Sequence, residues 1–423
     1  MNQARIADGV LEKKLGSGRV FIASTGVKDL VYLEGSVLGG WNMLPRHKGE
    51  ASILAAELLD AGTKTKNKSV IRGALASRGA SLSFSAGDER TYFRGSCLPE
   101  DLTLLLTVLC ECLGEAAFPA SEMRTAQARV HGELFEQKSD TRTQAGIALS
   151  RLIYDEKHTN YEETTNERIA DLAKVDRREL VSFKNLLGQG GLVLAIVGDI
   201  DTDLAYRAAQ KAFTKLPLGT DNAPDKRQNS KNQTSETKLV AIADKANIDV
   251  FIGAAVPLTY HDPLYLPFIV LNQMLGGSGF TGHLMRTVRE RDGLTYDVKA
   301  LPSGFTGGND GAFQVYASFS PARYHESVSV LRKEVDIFFK SGITDAVLTA
   351  RKQEMLGHYA IGLSTTRGLA ATLHQIGRRQ RELSYIDDYL TLLQALTIDE
   401  LHAAASLIPL KNLSLAAAGT FSA

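Results

Sequence analysis

Leu275 to Ala300, LGGSGFTGHLMRTVRERDGLTYDVKA, runs a glycine-rich turn, a helical segment, a glycine stop and an alternating strand together in one stretch. Leu284, Met285 and Val288 fall on one helix face, His283, Arg286 and Glu290 roughly opposite, and Arg289 at the edge of the apolar face. Gly293 can take the left-handed conformation that closes a helix. Leu294, Tyr296 and Val298 then alternate with Thr295, Asp297 and Lys299 as in a half-buried strand. That parity predicts that Tyr296 points inward, to the same side as Arg289. A planar cationic fork and a phenol brought together from a helix end and the next strand can hold a peptide carbonyl or a developing oxyanion. On geometry alone the stronger reading is a fold-building one, an arginine that favours a helix C-terminus followed by a strand tyrosine in a core.

Outward from this stretch, strand pairs are followed by runs of helices. Strands are predicted over 10–15, 19–24 and 30–38, and a helix over GEASILAAELLDAGT with Ile53, Leu54 and Leu58 inward and Gly62 as its stop. A helix over 69–78, two strands around the Gly87-Asp88 turn, helices over 100–116, 121–138, 141–154 and 177–187, and a buried strand over 192–197 complete the first half. Residues 217–237, PLGTDNAPDKRQNSKNQTSET, turn abruptly polar and are expected to be a flexible linker. Then the order begins again. The segment from Ala312 to Tyr359 repeats that from Tyr92 to Phe135. Pro99 and Pro321, Ala128 and Ala350, Arg129 and Arg351, and Leu134 and Leu356 are each 222 apart. At the far end LVLAIVGDI resembles LSLAAAGTF, with Gly198 and Gly419 separated by 221. We read two homologous α+β halves, 8–216 and 238–423, each an antiparallel sheet covered by helices on one side, closing as a clamshell around a cavity.

The whole chain sets bounds on function. With 423 residues, more than one domain is expected. Lys+Arg and Asp+Glu both number 48, a balance that argues against nucleic acid or an anionic membrane as the main partner. No apolar run approaches the roughly 18–20 residues of a spanning helix. The N-terminus lacks the apolar core of a signal peptide, which points to a cytoplasmic protein, or a periplasmic one if an export signal has been removed. Cys97, Cys110 and Cys112 fit neither a disulfide framework nor a metal knuckle and are expected to be small buried hydrophobes.

GGSGFTGHLMRTVRERDGLTY closely resembles the GGG-xSSRL-F-x-x-xREKxGLaY segment of the M16 zinc metallopeptidases, and the repeated halves, the linker and LLDAGT extend the likeness over essentially the full chain. In that family the Arg and Tyr seven apart bind substrate, a role the resemblance transfers to Arg289 and Tyr296. Active members carry HxxEH in the first-half helix. Two imidazoles one turn apart bind zinc, the Glu between them activates a water, and a Glu about 76 residues on completes the site. Aligned on Gly62 and Thr63, Ile53 stands at the first His, Ala56 at the general base and Glu57 at the second His. Glu133 keeps the late carboxylate, while Ala126 replaces the second acidic residue of that helix. Two carboxylates without an imidazole make a poor zinc site. The HxxE of His47 to Glu50 lies ahead of the helix, has Ala51 where the second His belongs, and reads as a loop cluster.

The resemblance therefore implies a non-catalytic subunit: no metal in this chain, zinc in an HxxEH-bearing partner subunit of a heterodimer, and an unfolded peptide as substrate. Alternatives from other classes are a scaffold subunit like the core proteins of the respiratory bc1 complex, and a homodimeric peptide-binding pseudopeptidase.

Overall fold

The computed structural model describes residues 5–220, 234–277 and 281–421. Most of the expected linker, 221–233, and Ser278, Gly279 and Phe280 of the glycine-rich turn lie outside the described residues. Strands β1 (Val10–Leu15), β2 (Gly18–Ser24), β3 (Val31–Leu38), β4 (Ser81–Ala86), β5 (Arg90–Cys97) and β6 (Val193–Gly198) form one sheet in the order β1-β2-β6-β3-β5-β4. Strands β7 (Thr237–Ala241), β8 (Ile248–Val256), β9 (Thr295–Ala300), β10 (Gly311–Phe319) and β11 (Ser414–Gly419) form the other, ordered β7-β11-β8-β10-β9.

Without β1 the two orders coincide strand for strand, so the repeat in the sequence is also a repeat in topology. The registers agree in detail: Val31 pairs with Cys97, and Ile248 with Phe319, 222 residues beyond Cys97. Gly198 and Gly419, read from the sequence as equivalent, both have positive φ, 158° and 152°. A Cβ on either would lie against backbone, 2.2 Å from Leu30 O and 2.7 Å from Asn247 O respectively.

The α+β class holds, with a correction to the pairing. Each sheet contains one parallel pair, β2 with β6 and β7 with β11. β6 and β11 re-enter their sheets only after long helical connections, which give the chain room to cross over and run parallel. Two α-helices of the first half are absent from the sequence reading, Thr165–Leu172 and Thr202–Phe213, the second opened by the Asp201 carboxylate accepting from Leu204 N. In the second half so are Thr366–Arg378, Tyr385–Ala395 and Ile398–Ser406.

Two compact units divide the chain, and they interleave along it instead of following 8–216 and 238–423 end to end. The first comprises Met1–Glu133, Arg168–Asp225 and His358–Leu390, the second Leu134–Glu167, Lys226–Gly357 and Thr391–Ala423. In the first unit the helix Thr366–Arg378 lays Leu369, Ala370, Leu373 and Ile376 on Phe21, Ala23, Val193, Ala195 and Val197. In the second the helix Thr141–Ile153 lays Ala145, Ala148, Leu149 and Ile153 on Phe251, Ala255, Tyr316, Ala416 and Ala418. Each half thus gives its corresponding helix to the other half's sheet. Small residues on the receiving strands let the helix approach closely. Val20, Ile22, Leu194 and Ile196, on the opposite face of the first sheet, are equally buried, so the sheet is covered on both sides and not on one as expected.

Candidate functional site

The Leu275–Ala300 stretch folds as a helix, a stop and a strand. Leu284 and Val288 are fully buried and Met285 nearly so. The last turns, Met285–Arg291, are wound wide: Asp292 N donates to Thr287 O at 3.1 Å, five residues back. Gly293, at φ 59°, closes the helix as read, its N–H donating to Arg289 O at 3.0 Å, and Leu294 N donates to Val288 O at 3.0 Å.

The strand departs from the predicted alternation. Val298 pairs with Ala317 but Thr295 pairs with Phe319, so Tyr296 and Asp297 together oppose the single residue Ser318. This is a β-bulge, and its extra residue reverses the parity of everything before it. Thr295 is buried and Tyr296 is 86% exposed. The expectation that Tyr296 points inward is thereby corrected. The Thr295 hydroxyl sits inside the bulge, 2.6 Å from Ser318 O and 3.0 Å from Asp297 O, and accepts from Asp297 N at 3.2 Å.

Arg289 and Tyr296 meet nonetheless, on the outside of the protein. The Arg289 Cζ lies 4.9 Å from the centre of the Tyr296 ring, a cation–π contact that orients both groups and leaves the phenol facing solvent. Beside them Lys299 Nζ holds Asp297 at 2.9 Å, with Arg142 Nη1 at 4.0 Å. Arg142 stacks 4.1 Å over the Tyr316 ring, whose hydroxyl donates to the buried Asp249 at 2.7 Å. Asp249 also accepts from Thr141, at the start of the exchanged helix, and from Asn247 at 2.9 Å. Burial and the Asp249 carboxylate push the Tyr316 hydroxyl up, so it remains a donor. The exchanged helix therefore braces the strand that carries Tyr296. Sequence reasoning missed Thr295 and Arg142, because a bulge and a helix exchange leave no local periodic signal.

The degenerate metal motif is equally specific. Ile53 is half-buried, Ala56 is fully buried, and Glu57 ends the helix Gly49–Glu57. Glu57 and Glu133 come together around Arg129. Its Nε donates to Glu57 Oε1 at 3.1 Å, Nη2 pairs with the other Glu57 oxygen, and Nη1 pairs with Glu133. The hydrogen bond to Glu57 is the largest cause of a raised Arg129 pKa. Both carboxylates are thus engaged by a guanidinium, no imidazole stands beside them, and Ala56 offers no base: this donor set does not fit zinc. Among the described residues no group of three or more His, Cys, Asp and Glu side chains is arranged to hold a metal ion. His47 lies in the short Arg46–Lys48 turn ahead of the helix, and Glu50 is buried with Arg168 Nε at 2.6 Å, a structural ion pair. Arg129 marks the repeat in the sequence, and its i,i+4 spacing to Glu133 is the local signal of this ion pair.

Two buried histidines serve the framework. His374, on the exchanged Thr366–Arg378 helix, meets Ser36 Oγ at 2.8 Å and lies 4.0 Å from Glu34, while Arg90 Nε donates to the same Ser36 Oγ at 2.7 Å. Because Arg90 donates to it, the Ser36 hydroxyl is free to donate to a neutral His374. Burial, with the neighbouring Arg90, Arg378 and Arg94 cations, pushes the His374 imidazole down to about 3. In the second unit His158 Nε2 meets Asp310 at 2.7 Å, and its Nδ1 accepts from Asn160 N at 3.0 Å. The three cysteines are free and buried as expected, with burial raising the Cys97 and Cys112 thiols to about 12. No described helix is long and apolar enough to cross a membrane.

Comparison with known proteins agrees with this architecture. Residues 175–355 match the family described as the peptidase M16 inactive domain. An uncharacterized zinc protease of Streptomyces coelicolor is 25% identical over 363 residues, 82% of this chain and 76% of that protein. The non-peptidase homolog YmxG of Helicobacter pylori is 22% identical over 367 residues, covering 86% and 83%. The crystal structure of a peptidase M16 inactive domain from Pseudomonas fluorescens shares the fold with a TM-score of 0.88 at 20% identity, over 98% of each chain. With an inactive-type domain matched over residues 175–355, HxxEH missing, and Glu57 and Glu133 bridged by an arginine, the chain is similar to the inactive members of the M16 peptidase family.

Proposed function

We propose that this chain is the non-catalytic, substrate-binding subunit of a heterodimeric M16 zinc metallopeptidase, and that it completes the peptide-hydrolysing site of an HxxEH-bearing partner. The observation that carries the proposal is the Arg289–Tyr296 pair, stacked at 4.9 Å and turned to solvent by a bulge. A tyrosine 86% exposed adds nothing to a core, and a bulge that keeps it outside calls for a reason beyond stability. In the proposed role Arg289 binds the carbonyl oxygen of an unfolded peptide, and Tyr296 donates to that oxygen as it gains negative charge. The peptide is held in part as an added strand on an open sheet edge, for which β4 and β9 are the terminal strands of their sheets on that side. The metal and the base then belong to the partner.

Mixing the chain with a similar-sized HxxEH-bearing M16 chain of the same genome is expected to create peptidase activity that neither has alone. Arg289→Ala and Tyr296→Phe should each lower the activity of the pair by about two to three orders of magnitude. Full activity of the partner alone would refute the proposal.

A further inference from the structure

We propose that Arg129 is a built-in cation occupying the seat between Glu57 and Glu133, so that the first unit is closed to metal by its own side chain and not merely by the loss of ligands. Glu57 ends one helix and Glu133 lies on another, Ala120–Gln137, one turn beyond Arg129. Two carboxylates converging from separate helices repel unless a cation lies between them. The guanidinium meets this need with its fork, spending Nε and Nη2 on the two oxygens of Glu57 and Nη1 on Glu133.

The second half supplies an independent parallel. Arg351, 222 residues on in the repeat register, is buried, with Nη1 on Glu354 Oε2 at 2.7 Å and Nη2 on Thr281 Oγ1 at 3.1 Å. An arginine at this register thus ties its helix to acidic or polar neighbours in both halves, and in the first half that tie coincides with the former metal position. The inference stands on Arg129 and its two carboxylates alone, so its failure would leave the proposed role of Arg289 and Tyr296 intact.

The test is thermal unfolding of the full chain, with Mn2+ binding followed in parallel by electron paramagnetic resonance. Mn2+ suits a site of oxygen donors, and Zn2+ serves as the comparison. The natural chain should be insensitive to chelator and gain nothing at this site from either ion. Arg129→Ala is expected to lower Tm by about 1–2 °C, the scale of two lost, partly exposed ion pairs in a chain of this length. Added Mn2+ should restore it, and Glu57→Gln introduced alongside should abolish the restoration. All three side chains are partly exposed, and Arg129→Gln provides a milder variant should the alanine form fold poorly. If neither variant takes up more Mn2+ than the natural chain, Arg129 is an ordinary ion pair and the proposal fails. Uptake of zinc by the natural chain that Glu57→Gln removes would overturn it equally.

Discussion

Thr295 sets the direction of Tyr296 with one hydroxyl. The hydroxyl faces Ser318 O and Asp297 O and accepts from Asp297 N, which satisfies the backbone groups that the bulge takes out of the ladder. Thr295→Val keeps the shape and removes these bonds, so part-buried backbone groups lose their partners at a cost of about 1 kcal/mol. The expected outcome is a shifted β9 register and a Tyr296 less reactive to nitration, located by peptide mass spectrometry. Thr295→Ser should restore the reactivity. The pair was legible through the resemblance of its segment to the M16 family, but its direction was not, because strand parity is read on the assumption that no residue is inserted.

The exchanged helix Thr366–Arg378 shows the same division between pattern and partner. Its cap, Thr365 accepting from Gly368 N at 3.0 Å, and its apolar face form a local pattern, whereas the sheet it covers lies some 170 to 350 residues earlier in the chain. His374 gives this docking a pH dependence. Unfolded, the imidazole binds a proton near pH 6.5; folded, it is held neutral down to about pH 3. Above pH 6.5 both states are neutral and stability is unaffected. As pH falls from 6.5 towards 3 the unfolded chain binds a proton that the folded chain does not, so stability falls, by up to about 1.4 kcal/mol per pH unit. His374→Gln, which can still bond Ser36, is expected to flatten denaturant-measured stability across that window.

The interleaving of the units has consequences for the molecule as a whole. Expressed alone, residues 1–225 would carry the helix Thr141–Ile153 without its sheet, and residues 226–423 the helix Thr366–Arg378 without its own. Leu149 and Ile153 in the one, Leu369, Leu373 and Ile376 in the other, would then be exposed to water at about 1.5–3 kcal/mol for each fully buried side chain. Each piece alone should aggregate or bind a hydrophobic dye, and co-expression of the two should recover a soluble complex on size exclusion. A pair of pieces that fold separately would contradict the exchange.

The sequence by itself determined the repeat, most strands and helices, the loss of HxxEH, and the two residues at the centre of the proposed site. The repeat and the elements are properties of order and spacing, which periodicity and glycine placement express locally; the missing HxxEH and the Arg289 and Tyr296 pair are read from residue types within the segments that resemble the M16 family. Tertiary structure alone decided which sheet each exchanged helix covers, that β6 and β11 enter parallel to β2 and β7, that Arg129 stands between Glu57 and Glu133, and that Tyr296 faces water. Each of these depends on contacts between residues distant in the chain or on one inserted strand residue. Local propensity is nearly blind to both, because packing and register, not the segment itself, choose among the alternatives.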